Sequence, residues 1–137
     1  MRYVTPLGAM SRAEFQAVGG KAANLGELAR HGFNVPAGFC VTGRSLDYVL
    51  DSAQLMPDIA RRLAGMDFDD YEAVEHASAA IRAAIQEAPV PEDLLAEIRA
   101  QIQALRSGPG DDPFVAVRSS VAVKDSRSEE HTSELQS

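Results

Sequence analysis

Val18-Gly-Gly-Lys-Ala-Ala-Asn-Leu-Gly-Glu-Leu28 is the stretch that decides how this chain folds. Gly19 and Gly20 allow backbone angles that other residues resist. From Lys21 to His31 the residues Ala22, Leu25, Leu28 and Ala29 recur at helical spacing. The pattern predicts a helix that opens after the glycine pair, turns that face to a core and closes at a Gly32 C-cap. A helix start leaves backbone N–H groups without partners at the positive end of the helix dipole, and Lys21 adds a full charge beside them. This is a phosphate cradle in outline. It is not a Walker A loop, because the required first glycine would fall at Phe15 and Ala22 stands where Ser or Thr is needed. The same residues also fit a plain turn carrying a solvated lysine.

Working outward, Pro36-Ala-Gly38 turns the chain into Phe39-Cys-Val-Thr42, a short apolar run that predicts a buried strand, and Tyr3-Val4 or Thr5 offers it an edge partner. Leu46, Val49, Leu50 and Ala53 give the next helix its apolar face, with Thr42 or Ser45 as its cap. Met56-Pro57 is expected to end that helix before a second short piece runs to Leu63. Val74, Ala77, Ile81, Ala84 and Ile85 predict a helix from Asp70 to Glu87, stopped by Pro89. Pro91 opens another helix, expected to reach Arg106, with a core face of Leu94, Leu95, Ile98, Ile102 and Leu105. After Gly108-Pro-Gly110, Phe114-Val-Ala-Val117 predicts a second buried strand. The sum is an α/β layer structure, rich in helices around a small central sheet. Two confident strands make a poor sheet, so further strands are expected from sequence outside this chain.

Arg118 follows that second apolar run directly, which puts a guanidinium at the carboxyl end of a strand, the edge where α/β sheets bind ligands. Its planar fork suits two phosphate oxygens, and the hydroxyls of Ser119 and Ser120 add donors. A salt bridge to Asp111 or Asp112 is the competing reading. Glu72 and His76 share a helix face but lack a third metal ligand, His31 suits the negative end of its helix, and Asp67 to Asp70 reads as a polar loop.

Composition narrows the classes of function. The 137 residues are 45% hydrophobic, enough for one domain with a modest core. A net charge of -7 and the lack of a basic stripe exclude nucleic-acid binding. No apolar run approaches the roughly 18 residues of a membrane helix. Pro6 and Gly8 interrupt the start before a signal core can form, so the chain reads as cytoplasmic and not membrane-bound. Cys40, the single cysteine, sits between Phe39 and Val41 and reads as a small buried hydrophobe.

Arg127 to Ser137 has one large aliphatic residue, Leu135, and no periodicity. It resembles the translation of a widely used sequencing-library adapter. The expected organisation is therefore a native but incomplete domain over 1–126 and a non-native, disordered tail over 127–137.

Three blocks in order, Val18 to Leu28, Val35-Pro-Ala-Gly-Phe-Cys-Val-Thr42 and Phe114-Val-Ala-Val-Arg-Ser-Ser120, resemble the N-terminal ATP-binding domain shared by pyruvate phosphate dikinase, phosphoenolpyruvate synthase and rifampin phosphotransferase. The resemblance runs from near Met1 to Ser126. It implies an ATP-grasp-type fold, of which this chain carries the N-terminal part, with Lys21 and Arg118 on ATP phosphates and Gly19, Gly20 and Ser119 around them. It further implies that the whole enzyme passes a phosphoryl group from ATP through a carrier histidine to pyruvate, or in one branch to rifampin. Neither His31 nor His76 matches that carrier, and the Mg2+ ligands, carrier and acceptor domains are expected beyond Ser126. No turnover is expected from this length of chain alone. Where the family continues with an acidic run, Lys124 departs from the pattern. The reading from another class is a non-catalytic helical interaction module, built on the amphipathic stretches Asp70 to Glu87 and Pro91 to Arg106.

Overall fold

A computed structural model describes residues 3–121. The expected tail over 127–137 and Lys124 lie outside them. Strand β1 (Val4–Pro6) pairs antiparallel with β2 (Phe39–Val41) in the register Val4 with Val41, Thr5 with Cys40 and Pro6 with Phe39. Pro6 has no N–H to give, which suits the end of a strand. The ladder continues past both ends: Leu7 N–H donates to Gly38 O at 2.8 Å, and Thr42 N–H donates to Tyr3 O at 2.9 Å. The run at Phe39 and its edge partner thus pair as the pattern predicts, but the strand is not buried: Phe39 and Cys40 are half-buried and Val41 is 46% exposed, because the two-stranded sheet has no further strand to cover it among the described residues.

Two short 3-10 turns, Leu7–Ala9 and Arg12–Glu14, lead into helix α1 (Phe15–Arg30), which is broken at Gly19. The core of this part of the chain is small. Met10 is fully buried among Val18, Ala22 and Ala23, and Leu7, Ala17 and Cys40 pack on that cluster. Ala22 is buried as the spacing predicts, but the rest of the inward stripe is shifted from the expected one. Leu25 and Leu28 remain 39% and 43% exposed. Gly26 is buried instead, and a Cβ built there would lie 2.7 Å from Met10 Cβ and 2.8 Å from Met10 O. The helix backbone approaches the Leu7 to Met10 segment so closely that only alanine and glycine fit between them. Its C-terminus follows the expected rule: Gly32 has φ 81°, Gly32 N–H donates to Ala29 O and Phe33 N–H to Leu28 O, both at 3.1 Å.

The chain divides into two compact units. One holds the described residues up to Gly43 and from Ala96 on, and the other runs from Arg44 to Leu95. The second contains α3 (Leu55–Leu63), α4 (Tyr71–Glu87) and nearly all of α2 (Gly43–Ser52). Thr42 does not cap α2 with its side chain, because its buried hydroxyl has no partner among the described residues. The break after α2 comes at Gln54, in the left-handed region at φ 54°, and not at Met56-Pro57. Pro57 sits in the first turn of α3, where no N–H is needed from it. Asp58 there pairs with Arg62 at 2.7 Å and Arg61 at 3.5 Å. Asp70 caps α4 by accepting from Ala73 N–H at 3.1 Å, and Ala88 turns extended ahead of Pro89. Tyr48 Oη donates to both carboxylate oxygens of Asp93, at 3.2 and 3.0 Å.

Helix α5 (Glu92–Ala104) starts with Pro91 as the residue just before it, whose carbonyl accepts from Leu95 N–H at 3.0 Å. Leu94 is its one buried residue. It ends two residues short of the expected Arg106, as Leu105 and Arg106 tighten into turns onto Ile102 and Gln103. The larger correction concerns Phe114 to Val117. This run is not a buried strand: it has no regular structure, and Phe114, Val115 and Val117 are 107%, 57% and 91% exposed. A strand is buried by its neighbours, and among the described residues the sheet consists of β1 and β2 alone. The result is a helix-rich chain with a small two-stranded sheet, consistent with an α/β nucleotide-binding domain.

Candidate functional site

The break inside α1 is where the glycine pair matters. Gly19 has φ 76° and ψ 166°, a region open essentially to glycine alone. With those angles Val18 O cannot accept the helical bond it would otherwise take from residue 22. Residues 20–30 thus form a fresh helix whose first N–H groups lie directly after the glycine bend. Gly19 and Gly20 are buried, while Lys21 is exposed and has no hydrogen bond or ion pair among the described residues.

Into this bend the far end of the described chain is seated. Ser120 Oγ donates to Val18 O at 2.9 Å across 102 positions of sequence. A Cβ built on Gly19 would collide with Ser120 Oγ and lie 2.6 Å from Val121 O. The missing side chain of Gly19 is therefore the space that Ser120 and Val121 occupy. Cys40 completes the surroundings of the same carbonyl, its Sγ 3.9 Å from Val18 O and 3.5 Å from Val41 O. Partial burial pushes the Cys40 thiol up from its ordinary value, which keeps it protonated and suits the packing role expected for it.

The sequence readings separate here. Ser119 and Arg118 are both exposed, one and two residues from the junction. The competing salt bridge for Arg118 does not form: Asp111 accepts from Ser107 N–H at 2.8 Å, and Asp112 lies 4.0 Å from Arg106. Among the described residues Arg118 has no hydrogen bond or ion pair. Ser120 differs from expectation, since its hydroxyl is turned to Val18 and not to a ligand. Neither Val18 O nor Cys40 was a candidate from sequence, and no spacing rule links position 18 to position 120. The geometry joins Gly19 and Gly20, followed by Lys21, to the segment that carries Arg118 and Ser119. Two exposed cations, a helix start and a serine hydroxyl can receive a multiply charged anion.

The remaining candidates stay apart from this place. His31 pairs with Glu27 at 3.3 Å near the end of α1. Glu72 and His76 are exposed on α4. Among the described residues no three of His, Cys, Asp and Glu gather as a set of metal ligands. No helix in them is long and apolar enough to cross a membrane.

Comparison with known proteins finds a family match over most of the chain. The pyruvate phosphate dikinase AMP/ATP-binding domain matches residues 15–132. A probable phosphoenolpyruvate synthase of Methanocaldococcus jannaschii is 37% identical over 126 residues, covering 91% of this chain and 11% of its own length. A rifampicin phosphotransferase of Streptomyces sviceus is 38% identical over 125 residues, with coverages of 90% and 14%. A phosphoenolpyruvate synthase of Pseudomonas aeruginosa is 37% identical over 129 residues, with coverages of 91% and 16%. The chain thus spans less than a fifth of the length of these curated relatives. With most of its residues matched, the chain belongs to the family of the pyruvate phosphate dikinase AMP/ATP-binding domain.

Proposed function

We propose that this chain binds the phosphates of ATP between the bend at Gly19-Gly20-Lys21 and the Arg118-Ser119 segment, as the N-terminal part of an ATP-grasp-type nucleotide site. The observation that carries the reading is the seating of Ser120 and Val121 on Gly19, which brings two cation-bearing blocks to one place. Lys21 offers a mobile point charge and Arg118 a planar fork for two oxygens at once. The N–H groups at the restarted helix add directional donors. These residues hold and orient the phosphate chain.

The whole protein to which the site belongs is proposed to be a phosphotransferase that moves a phosphoryl group from ATP, by way of a carrier histidine, to pyruvate. The relatives named phosphoenolpyruvate synthase favour pyruvate, and the rifampicin phosphotransferases make rifampin the second acceptor to test. The Mg2+ that assists such a transfer is proposed to be held by residues of the longer protein beyond Ser126. The native domain over 1–126 and the non-native tail over 127–137 belong to the same proposal.

Isothermal titration of the 137-residue chain with ATP tests the site. Binding is expected to weaken about tenfold or more in Lys21→Ala and in Arg118→Ala, since each removes a charge-assisted contact. Wild-type affinity in both variants would refute the assignment and favour the helical interaction module. In the longer protein, ATP is expected to give AMP when an acceptor is present, and ADP as the only product would count against the phosphotransferase.

A further inference from the structure

We infer that Ser120 is a positioning residue: its hydroxyl bonds the Arg118-bearing segment to the carbonyl that the Gly19 break releases, and so holds that segment at the glycine bend that precedes Lys21. The inference rests on the proposed phosphate site and adds to it what aligns its two halves. Residues 113–119 have no regular structure, and Phe114, Val115 and Val117 lie out in solvent, so little else in that segment fixes the arginine. The one described hydrogen bond from 118–121 into the body of this unit is Ser120 Oγ to Val18 O, at 2.9 Å and partly buried. Its acceptor exists because Gly19 leaves the helical course, and its approach is possible because Gly19 has no Cβ. Glycine at 19 therefore serves twice. It frees the acceptor and clears the seat, and both effects act on the arginine two residues before the serine.

A segment whose described contacts are one neutral hydrogen bond and a close backbone approach is loosened substantially when either is removed. In the nucleotide-free chain, tryptic cleavage of the Arg118–Ser119 bond, identified by product mass, is expected to run about three- to tenfold faster in Ser120→Ala and in Gly19→Ala. Cleavage after Arg99, within α5, serves as the internal reference. An unchanged ratio of the two cleavages in Ser120→Ala overturns the clamp.

ATP titration then asks what the clamp is for. Ser120→Ala is expected to weaken ATP binding about three- to tenfold in the native background and less than about twofold in an Arg118→Ala background. Such coupling arises only if the serine acts through the arginine. An equal loss in both backgrounds makes Ser120 a structural residue and overturns the positioning role. A wild-type chain that binds no ATP while Ser120→Ala still accelerates cleavage refutes the phosphate site and leaves the docking in place, so the two failures give different data.

Discussion

Replacing Gly19 by alanine strains the structure in two ways that add. The backbone angles at Gly19, φ 76° and ψ 166°, cost a non-glycine residue about 1–3 kcal/mol. The new methyl would also sit 2.6 Å from Val121 O and 3.0 Å from Val121 C, and forcing it in costs about 1–3 kcal/mol more or expels Ser120 and Val121 from their seat. A loss of about 2 kcal/mol is the least expected, against a total of about 5–15 kcal/mol for a small domain. At roughly 4 °C per kcal/mol, Tm falls by about 8 °C or more. Thermal unfolding followed by circular dichroism measures it, with two controls. Gly32→Ala meets nothing within 4 Å but has φ 81°, so it reports the positive-φ penalty alone, about 1 kcal/mol. Gly8→Ala has neither problem and stays within about 0.5 kcal/mol of wild type. A Gly19→Ala variant no less stable than Gly32→Ala would refute the crowding by Ser120 and Val121, and with it the junction on which the site is built.

Gly26→Ala, whose methyl would press on Met10, is expected to lower stability by about 1–3 kcal/mol in a urea titration, although alanine is the better helix former. Asp70→Ala removes the N-cap of α4 and should cost about 1 kcal/mol, with faster amide exchange confined to the first turn of that helix. The hydrogen bond from Arg62, with the added field of Arg61 and Arg62, holds the Asp58 carboxyl below its ordinary 3.8 despite the opposing desolvation. Its stabilising contribution is therefore complete above pH 3.8 and is lost as pH falls through the lower folded value. Exchange from α3 amides should separate wild type from Asp58→Asn at pH 6 and converge in strong acid. Cys40, with its thiol pushed up by burial, is expected to react with a disulfide reagent at pH 8 more slowly in the native chain than in urea.

Much of the local structure was legible in the sequence because its causes are local. Asp70, Pro89 and Gly32 each act within one turn of a helix, through a hydrogen bond, a steric restriction or a left-handed angle, and each does what its position implies. The first apolar run, Phe39 to Val41, had an edge partner within the chain and became a strand. The second, Phe114 to Val117, has the same apolar character and did not, because among the described residues no strand lies beside it. Periodicity likewise placed α1 but misjudged its buried face. Of the predicted stripe Ala22, Leu25, Leu28 and Ala29, only Ala22 is buried, because the close approach of Met10 admits Ala22, Ala23 and Gly26 but no leucine.

The candidate site divides along the same line. Residue types and their order supplied Gly19, Gly20, Lys21, Arg118 and Ser119 as candidates, since a helix-opening glycine pair, a lysine and an arginine fork suit phosphate oxygens. The sequence by itself determined that the helices exist, where Gly32 and Pro89 stop two of them, and which charged groups could meet an anion. Only the tertiary structure decided that Ser120 bonds to Val18 and that the bare Cα of Gly19 is the seat for residues 120 and 121. Contacts across 102 positions leave no periodic trace in a sequence. They depend on which backbone can come within van der Waals distance of which, and that is settled only when the chain has packed.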